Sequence, residues 1–406
     1  MSNLDQTVRS VDSIGHTPFF LVDESRIEDS VREIRTALAR HWENNLLSFS
    51  VKTNSLPCVL EVLNRLHVWA EVVSEHEYDV VSSIGFAHSS CICNGPAKSR
   101  RFLEMALEHG AVLHLDDLHE VRSVLDLAKG RQVSFGVRVN ATEDDFPAEP
   151  LCGAEGSRFG LSVRDGDFLR LVELLKLNPF ARLTSLHLHC NTRGRCKEGF
   201  EWLSAFFARL VKDYHLSDID TFDIGGSFGH DFDHPGDGEG RWPSWNQYFS
   251  VISGVLRQEG FSPNRLRLVV EPGSGLISNA ADYYATVLGS RVIGGRRYMQ
   301  MDGSRIHVDP HFTRASFCGG IEVAVSSGEN PEENVAALFG STCLEKDRVG
   351  FGGTLFSCAK GDRIVFRKTG AYTYGLSPHL FINSVPDVWF RRKEGSLVLA
   401  NSREDT

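Results

Sequence analysis

The sequence is short of the features that mark several protein classes. Its 43 Lys and Arg are outnumbered by 53 Asp and Glu, giving a formal net charge of -10. It therefore lacks the basic face needed to grip nucleic acid or an anionic membrane, and neither partner is expected. No apolar run approaches the roughly 18 residues of a spanning helix. Met1 to Gly15 lacks the basic and then apolar order of a signal peptide, so a cytoplasmic location is expected. The nine cysteines include no CxxC pair and are odd in number, which argues against a disulfide framework and for reduced thiols. No solenoid repeat and no low-complexity linker stands out. What remains is the profile of an enzyme or binder of small molecules.

At 406 residues the chain suits one large domain and a smaller one. From about residue 25 short apolar strands alternate with amphipathic helices, the pattern of parallel strands joined through helices. Eight strands are expected: Leu46 to Val51, Val68 to Val73, Cys91 to Asn94, Val112 to Leu115, Val133 to Val139, Leu183 to His189, Thr221 to Ile224 and Leu266 to Val270. Between them apolar residues share a helical face, as at Ile27, Val31, Ile34 and Leu38. Eight such units predict an α/β fold, a closed (β/α)8 TIM barrel over 25–280, with an open doubly wound sheet as the alternative.

After Ala280 the texture becomes β-rich with Gly-rich turns, at Tyr284 to Val292, Tyr298 to Met301, Ile321 to Ser326, Arg363 to Phe366 and Val388 to Leu399. Residues 281–406 are expected to form a β-barrel domain. Pro18 to Val22 reads as a strand before the first helix, so 1–24 is expected to join that later domain.

Chemistry-bearing residues gather at expected strand ends. Lys52, in Phe49-Ser50-Val51-Lys52-Thr53-Asn54, follows the first barrel strand, at the end where such barrels carry their active sites. A lysine there can form a Schiff base with an aldehyde cofactor, although a solvent-facing lysine would look the same. Asp223-Ile224-Gly225-Gly226-Ser227-Phe228-Gly229 follows the seventh strand, where amides free of side-chain bulk can cradle a phosphate or simply make a tight turn. Glu271-Pro272-Gly273 follows the eighth, placing a carboxylate at the same mouth, where it could protonate a pyridine nitrogen or make a surface ion pair.

His187 and His189 share a strand face, but no further ligand completes a metal motif, and no metal is expected. Two long loops, Ala141 to Arg158 and Gly229 to Pro243, are candidate functional segments; the second carries His230, Asp231, Asp233 and His234. In the β domain, Cys343 stands among charged residues in Gly340-Ser341-Thr342-Cys343-Leu344-Glu345-Lys346-Asp347, and Gly370-Ala371-Tyr372 supplies a phenol.

Taken in order, these motifs resemble the fold-III pyridoxal-phosphate decarboxylases, the group of diaminopimelate, ornithine, arginine and carboxynorspermidine decarboxylases. The match runs from Thr17-Pro18-Phe19 to Phe381-Ile382-Asn383. The resemblance implies an alanine-racemase-like barrel, pyridoxal 5'-phosphate as cofactor and an amino-acid substrate. It also implies roles. Lys52 would carry the cofactor, His189 stack on its ring, and Gly225, Gly226, Ser227, Thr192 and Tyr372 hold its phosphate, with Gly273 also binding the cofactor. Glu271 would face the ring nitrogen, with Glu71 and Glu77 near the cofactor. Cys343 would return a proton to the reacting carbon across the interface of a homodimer with shared sites.

Departures from the family pattern bear on the substrate. Ser274 stands where an arginine is usual, with Arg193 or Arg195 as possible substitutes, and Leu344 stands where an acidic residue usually holds a distal amine. Arg305 and Glu345 are candidate substrate contacts. The expected activity is that of a carboxy-lyase acting at Cα of a diamino acid or a carboxylated derivative, such as a citryl-diamino acid of siderophore assembly. Alternatives are diaminopimelate or carboxynorspermidine decarboxylation, amino-acid racemisation, and a non-catalytic regulatory homologue.

Overall fold

The computed structural model describes residues 13–141, 157–189, 196–229, 242–311, 321–331, 335–349, 357–377 and 385–402. The chain divides into two compact units. Met1–Asp29, Leu56–Val59 and Ile277–Thr406 form one; Ser30–Ser55 and Leu60–Leu276 form the other. Among the described residues no helix is long and apolar enough to cross a membrane.

Strand β1 (Phe19–Asp23) belongs to the first unit. After helix Glu24–His41 come the eight strands of the second: β2 (Asn45–Ser50), β3 (Trp69–Val72), β4 (Cys91–Cys93), β5 (Val112–Leu115), β6 (Val133–Val139), β7 (Ala181–Leu188), β8 (Thr221–Asp223) and β9 (Arg267–Val270). They close in chain order into a barrel, with β9 returning to pair in parallel with β2. One parity along each strand is apolar and buried, as at Leu47 and Phe49, Phe135, Val137 and Val139, and Leu186 and Leu188. Burial on both faces is what parallel strands require. The connecting helices are capped by their own sequence. Ser74 accepts the Glu77 amide at the start of Glu75–Ile84, and Gly85 ends that helix in the left-handed region at φ 97°.

The first unit is a nine-stranded mixed sheet built from β1 and eight later strands. These are β10 (Ala281–Ile293), β11 (Arg296–Met301), β12 (Ile321–Val325), β13 (Val335–Phe339), β14 (Arg348–Val349), β15 (Arg363–Phe366), β16 (Asp387–Arg391) and β17 (Leu397–Asn401). β1 lies between β10, antiparallel, and β16, parallel. The expectation that Pro18 to Val22 joins the later domain holds. Phe19 stacks on Tyr284 at 4.9 Å within a core of Ile14, Leu21 and Val365. Each such fully buried side chain contributes about 1.5–3 kcal/mol of apolar burial. The segment read as Val388 to Leu399 is two strands, folded back through a turn in which Arg392 N donates to Ser396 O at 2.9 Å.

Candidate functional site

Barrels of this type are filled by layers of Val, Ile and Leu. Here the inward positions toward the strands' C-terminal ends are polar: Ser50, Glu71, Asn94, His114, Ser185, His187, Asp223 and Glu271, all buried. Strand register sets Ser50 level with Glu71, and His187 level with Asp223.

Lys52 stands beside this layer. β2 ends at Ser50 and turns into the short 3-10 helix Val51–Thr53, and Lys52 Nζ donates to Glu71 Oε2 at 2.6 Å while the lysine side chain stays 40% exposed. The contacts continue inward. Asn94 Nδ2 donates to Glu71 Oε1 at 3.2 Å and to Glu271 Oε1 at 2.9 Å, and Asn94 Oδ1 meets His114 Nδ1 at 2.9 Å. His114 Nε2 is bonded to Ser185 Oγ at 2.7 Å. One amide thus ties both glutamates and a histidine into one network. Glu77, expected near the cofactor, spends its carboxylate on the Val73 amide at 2.8 Å, a local helix-entry contact.

The electrostatics of this layer are those of negative charge taken out of water. Burial, then the Asp223 and Glu71 carboxylates, push the Glu271 carboxyl well above its ordinary range. Burial raises Asp223 to about 7. The histidines move the other way. Burial, followed by the Lys98 and Arg138 cations, lowers His114 to about 3. His187 and His189 are lowered as well, first by burial and then by Arg138, so all three rings are neutral near pH 7.

The glycine run folds around the same layer. Gly225, at φ 69°, has no room for a side chain, since a Cβ would lie 2.5 Å from His189 Nδ1; a Cβ on Gly226 would meet Glu271 O at 2.6 Å. The first two amides are engaged internally. Gly225 N donates to Asp223 Oδ1 at 2.9 Å and Gly226 N to His189 Nδ1 at 3.2 Å, which fixes the His189 proton on Nε2. The Ser227 amide makes neither bond, and Ser227 is itself left-handed at φ 63°. Gly273 sits tight against Thr53, where a Cβ would fall 2.1 Å from Oγ1. Ser274, where an arginine is usual, opens the turn Ser274–Ile277 and is buried.

In the sheet unit, Cys343 is exposed on a loop organised by buried Asp347. Asp347 accepts from the Thr342 amide at 2.9 Å, the Thr342 hydroxyl at 2.6 Å and the Arg305 amide at 2.7 Å. Leu344 is half-buried and Glu345 exposed. Arg305, a candidate for a substrate carboxylate, is buried, with Nε and one terminal nitrogen on Asp309 at 3.1 and 2.7 Å and the other on Arg348 O at 3.2 Å. Its planar fork is committed to holding that loop. Tyr372 is 38% exposed in the left-handed region, and Gly370 beside it packs against Ile277 O.

Thr192, Arg193 and Arg195, most of the loop Ala141 to Arg158, and His230, Asp231, Asp233 and His234 lie outside the described residues. Residues that the sequence reading left without a role are Asn94, His114, Asp223 and Arg138. The first three share the inward parity of Glu71 and Glu271, which is the signal that could have found them. His187, Asp223 and Glu271 bring three metal-capable atoms within 4.8 Å of one another, the one such group among the described residues. At the other end of the strands a cavity of about 790 Å³ is lined by Leu46, Trp69, Arg131 and Arg267, and reaches the undersides of His114 and Asp223.

The whole chain is similar to known proteins. Residues 24–278 match the family described as pyridoxal-dependent decarboxylase, pyridoxal binding domain. A probable chloroplastic diaminopimelate decarboxylase of Oryza sativa is 23% identical over 401 residues, covering 96% of this chain and 79% of its own. An L-glutamyl-[BtrI acyl-carrier protein] decarboxylase of Niallia circulans is 22% identical, covering 98% of this chain and 94% of its own. The crystal structure of Helicobacter pylori diaminopimelate decarboxylase complexed with L-lysine is similar over 98% of this chain and 97% of that one, at 20% identity and a TM-score of 0.82. With the family match spanning more than half the chain, the chain belongs to the pyridoxal-phosphate-dependent amino-acid decarboxylases.

Proposed function

We propose that the barrel mouth removes the α-carboxylate of an amino acid whose distal end carries an acylated or carboxylated group rather than a free ammonium, a citryl-diamino acid being the type. The residues present fit pyridoxal phosphate. Lys52 offers an amine at the strand ends, the glycine run leaves side-chain-free space with the Ser227 amide beside it, and two buried side chains, His187 and Asp223, keep polar atoms without a hydrogen-bond partner among the described residues. In this reading Lys52 would carry the cofactor, Gly225, Gly226, Ser227 and Gly273 would shape the phosphate site, and neutral His189 and Glu271 would hold the ring and its nitrogen. Bound there, pyridoxal phosphate supplies a sink for the electron pair left on Cα when the carboxylate departs as carbon dioxide.

The chain's own residues do the rest. Glu71 positions the Lys52 nitrogen and can take up the proton it sheds when the amine reacts. Asn94 keeps Glu71 and Glu271 at a fixed spacing. Cys343, exposed on a loop pinned by Asp347, returns the proton to Cα from a second copy of the chain, so the working unit is a homodimer. The observation that carries the reading is the inward polar layer that links Lys52, through Glu71 and Asn94, to Glu271.

Leu344 supports the substrate class, because an alkyl side chain beside Cys343 cannot compensate a distal ammonium. Diaminopimelate is the second reading, supported by the relatives that bear that name. A carbon dioxide release screen over citryl-diamino acids, diaminopimelate, ornithine and carboxynorspermidine tests both. Release from diaminopimelate alone would overturn the first reading, and release from none would overturn both.

A further inference from the structure

Asp223 ends β8 with its side chain wholly buried. Oδ1 accepts the Gly225 amide at 2.9 Å, while Oδ2 has no hydrogen-bond partner among the described residues. A buried carboxylate oxygen without a donor is costly and calls for a compensating role. Register sets Asp223 between His187 of β7 and Val269 of β9, and its carboxylate lies within 4.8 Å of ligand-capable atoms of both His187 and Glu271. The groups that face it come from every side. They are His114 of β5 with Nδ1 at 3.8 Å, His187 of β7, Glu271 beyond β9, Glu71 of β3 and, farther out, Lys52 after β2. Both histidines are neutral, so Lys52 is the cation among these five, and it is held by Glu71. The Asp223 charge is therefore felt chiefly by Glu271.

We propose that Asp223 is a positioning residue that makes the glycine run and Glu271 one unit: Oδ1 fixes the Gly225 amide, and the charge on Oδ2 strengthens the hold of Glu271 on a ring-nitrogen proton. The inference rests on the reading of Glu271 as the nitrogen partner of the cofactor. Its electrostatic half follows from Coulomb attraction, since a negative charge close by in a poorly screened interior raises the proton affinity of its neighbour. Its mechanical half follows from the hydrogen bond, because a left-handed Gly225 whose amide is pinned has one orientation to offer.

The test uses the full chain loaded with pyridoxal phosphate and three variants: Asp223→Asn, Asp223→Ala and Glu271→Gln. Cofactor affinity, substrate KM, kcat and the pH dependence of kcat and of the cofactor's visible absorbance are measured for each. Asp223→Asn keeps an oxygen for the Gly225 amide and loses the charge. It should bind the cofactor and substrate normally, lose about tenfold in kcat, and show its acid limb at lower pH by at least about half a unit, because Glu271 then ionises more readily. Asp223→Ala should in addition weaken cofactor binding by about tenfold. An Asp223→Asn protein with unaltered kcat and pH profile, or one whose only change is a lower Tm, overturns the electrostatic half. Equal cofactor affinity in the Asn and Ala variants overturns the mechanical half. Should the Ala variant not fold, Asp223→Asn decides the electrostatic half, and Asp223→Leu, near in size but without an acceptor for the Gly225 amide, takes the place of Ala for the mechanical half. If Glu271→Gln leaves the absorbance and pH profile unchanged, the underlying reading of Glu271 fails. If Glu271→Gln moves them and Asp223→Asn does not, this inference fails by itself.

Discussion

The sheet unit and the barrel unit both bury carboxylates, and they balance them differently. In the sheet, Asp23 meets Arg391, Asp282 meets Arg26 at 3.0 Å and Arg367 at 2.9 Å, and Asp309 meets Arg305 at 2.7 Å. Each of these three acids has a guanidinium, while Asp347 and Asp362 of the same unit are held by amides and hydroxyls. In the barrel's inner layer Glu71, Asp223 and Glu271 converge, Lys52 is bonded to Glu71 alone of the three, and the nearby histidines are neutral. Elsewhere in the barrel Lys98 pairs with Glu120 at 2.9 Å. Balanced acids hold a fold together. Unbalanced ones make room for a ligand that brings positive charge or a proton.

That contrast can be broken by exchanging the two kinds of effect. Lys52→Ala should abolish turnover and the borohydride-sensitive visible absorbance of the bound cofactor while leaving the melting transition in place; retained absorbance would sink the cofactor assignment. Glu271→Gln should lower kcat by about 10²-fold with the chain still folded, as read by steady-state kinetics and far-UV circular dichroism. Cys343→Ala should lower product formation by about 10²-fold without releasing cofactor, and mixing it with a Lys52 variant should restore part of the activity through hybrid dimers. No recovery after proven subunit exchange would count against a shared site. Asp282→Asn, from the other region, should cost about 3 kcal/mol of stability in denaturant melts with turnover per folded molecule unchanged.

The smallest expected effect is on pH dependence. Asp223 titrates in the fold at about 7, above its ordinary 3.8, so it binds its proton more tightly folded than unfolded. Its contribution to stability is complete below the unfolded value and is lost as pH rises through the folded one. The cofactor-free protein should therefore lose stability between about pH 4 and pH 7, and Asp223→Asn should flatten that slope. An unchanged slope would show that the charge is already compensated.

Much of this could be read from the residues. β5 and β6 match the expected Val112 to Leu115 and Val133 to Val139 because each is a bounded apolar run, and the Pro18 to Val22 strand shows itself by standing before the first helix. β13 and β14 escaped notice: Val335-Ala336-Ala337-Leu338-Phe339 has no alternation, and β14 is two residues long. In the site, Lys52, the glycine run and Glu271 were legible because each follows a strand. Asn94 and Asp223 were not, because a short polar side chain at a strand end reads as a turn residue until the barrel closes, and His114, inside β5, shows which way it faces only once the barrel closes. Arg305 illustrates the reverse. It looked available for a substrate, yet Asp309, four residues on along the same helical turn, takes its guanidinium.

The placement of β1 has a consequence for how the protein is made. It pairs with β16, and Asp23 is tied to Arg391 across 368 residues of chain. At roughly 5–20 residues per second of translation, the strand emerges early and waits on the order of tens of seconds for its parallel neighbour. All eight barrel strands are synthesised within that interval. Until Ala281 to Tyr284 has left the ribosome β1 has two bare edges, and until Asp387 to Arg391 follows it keeps one, the kind of edge that recruits strands from other chains.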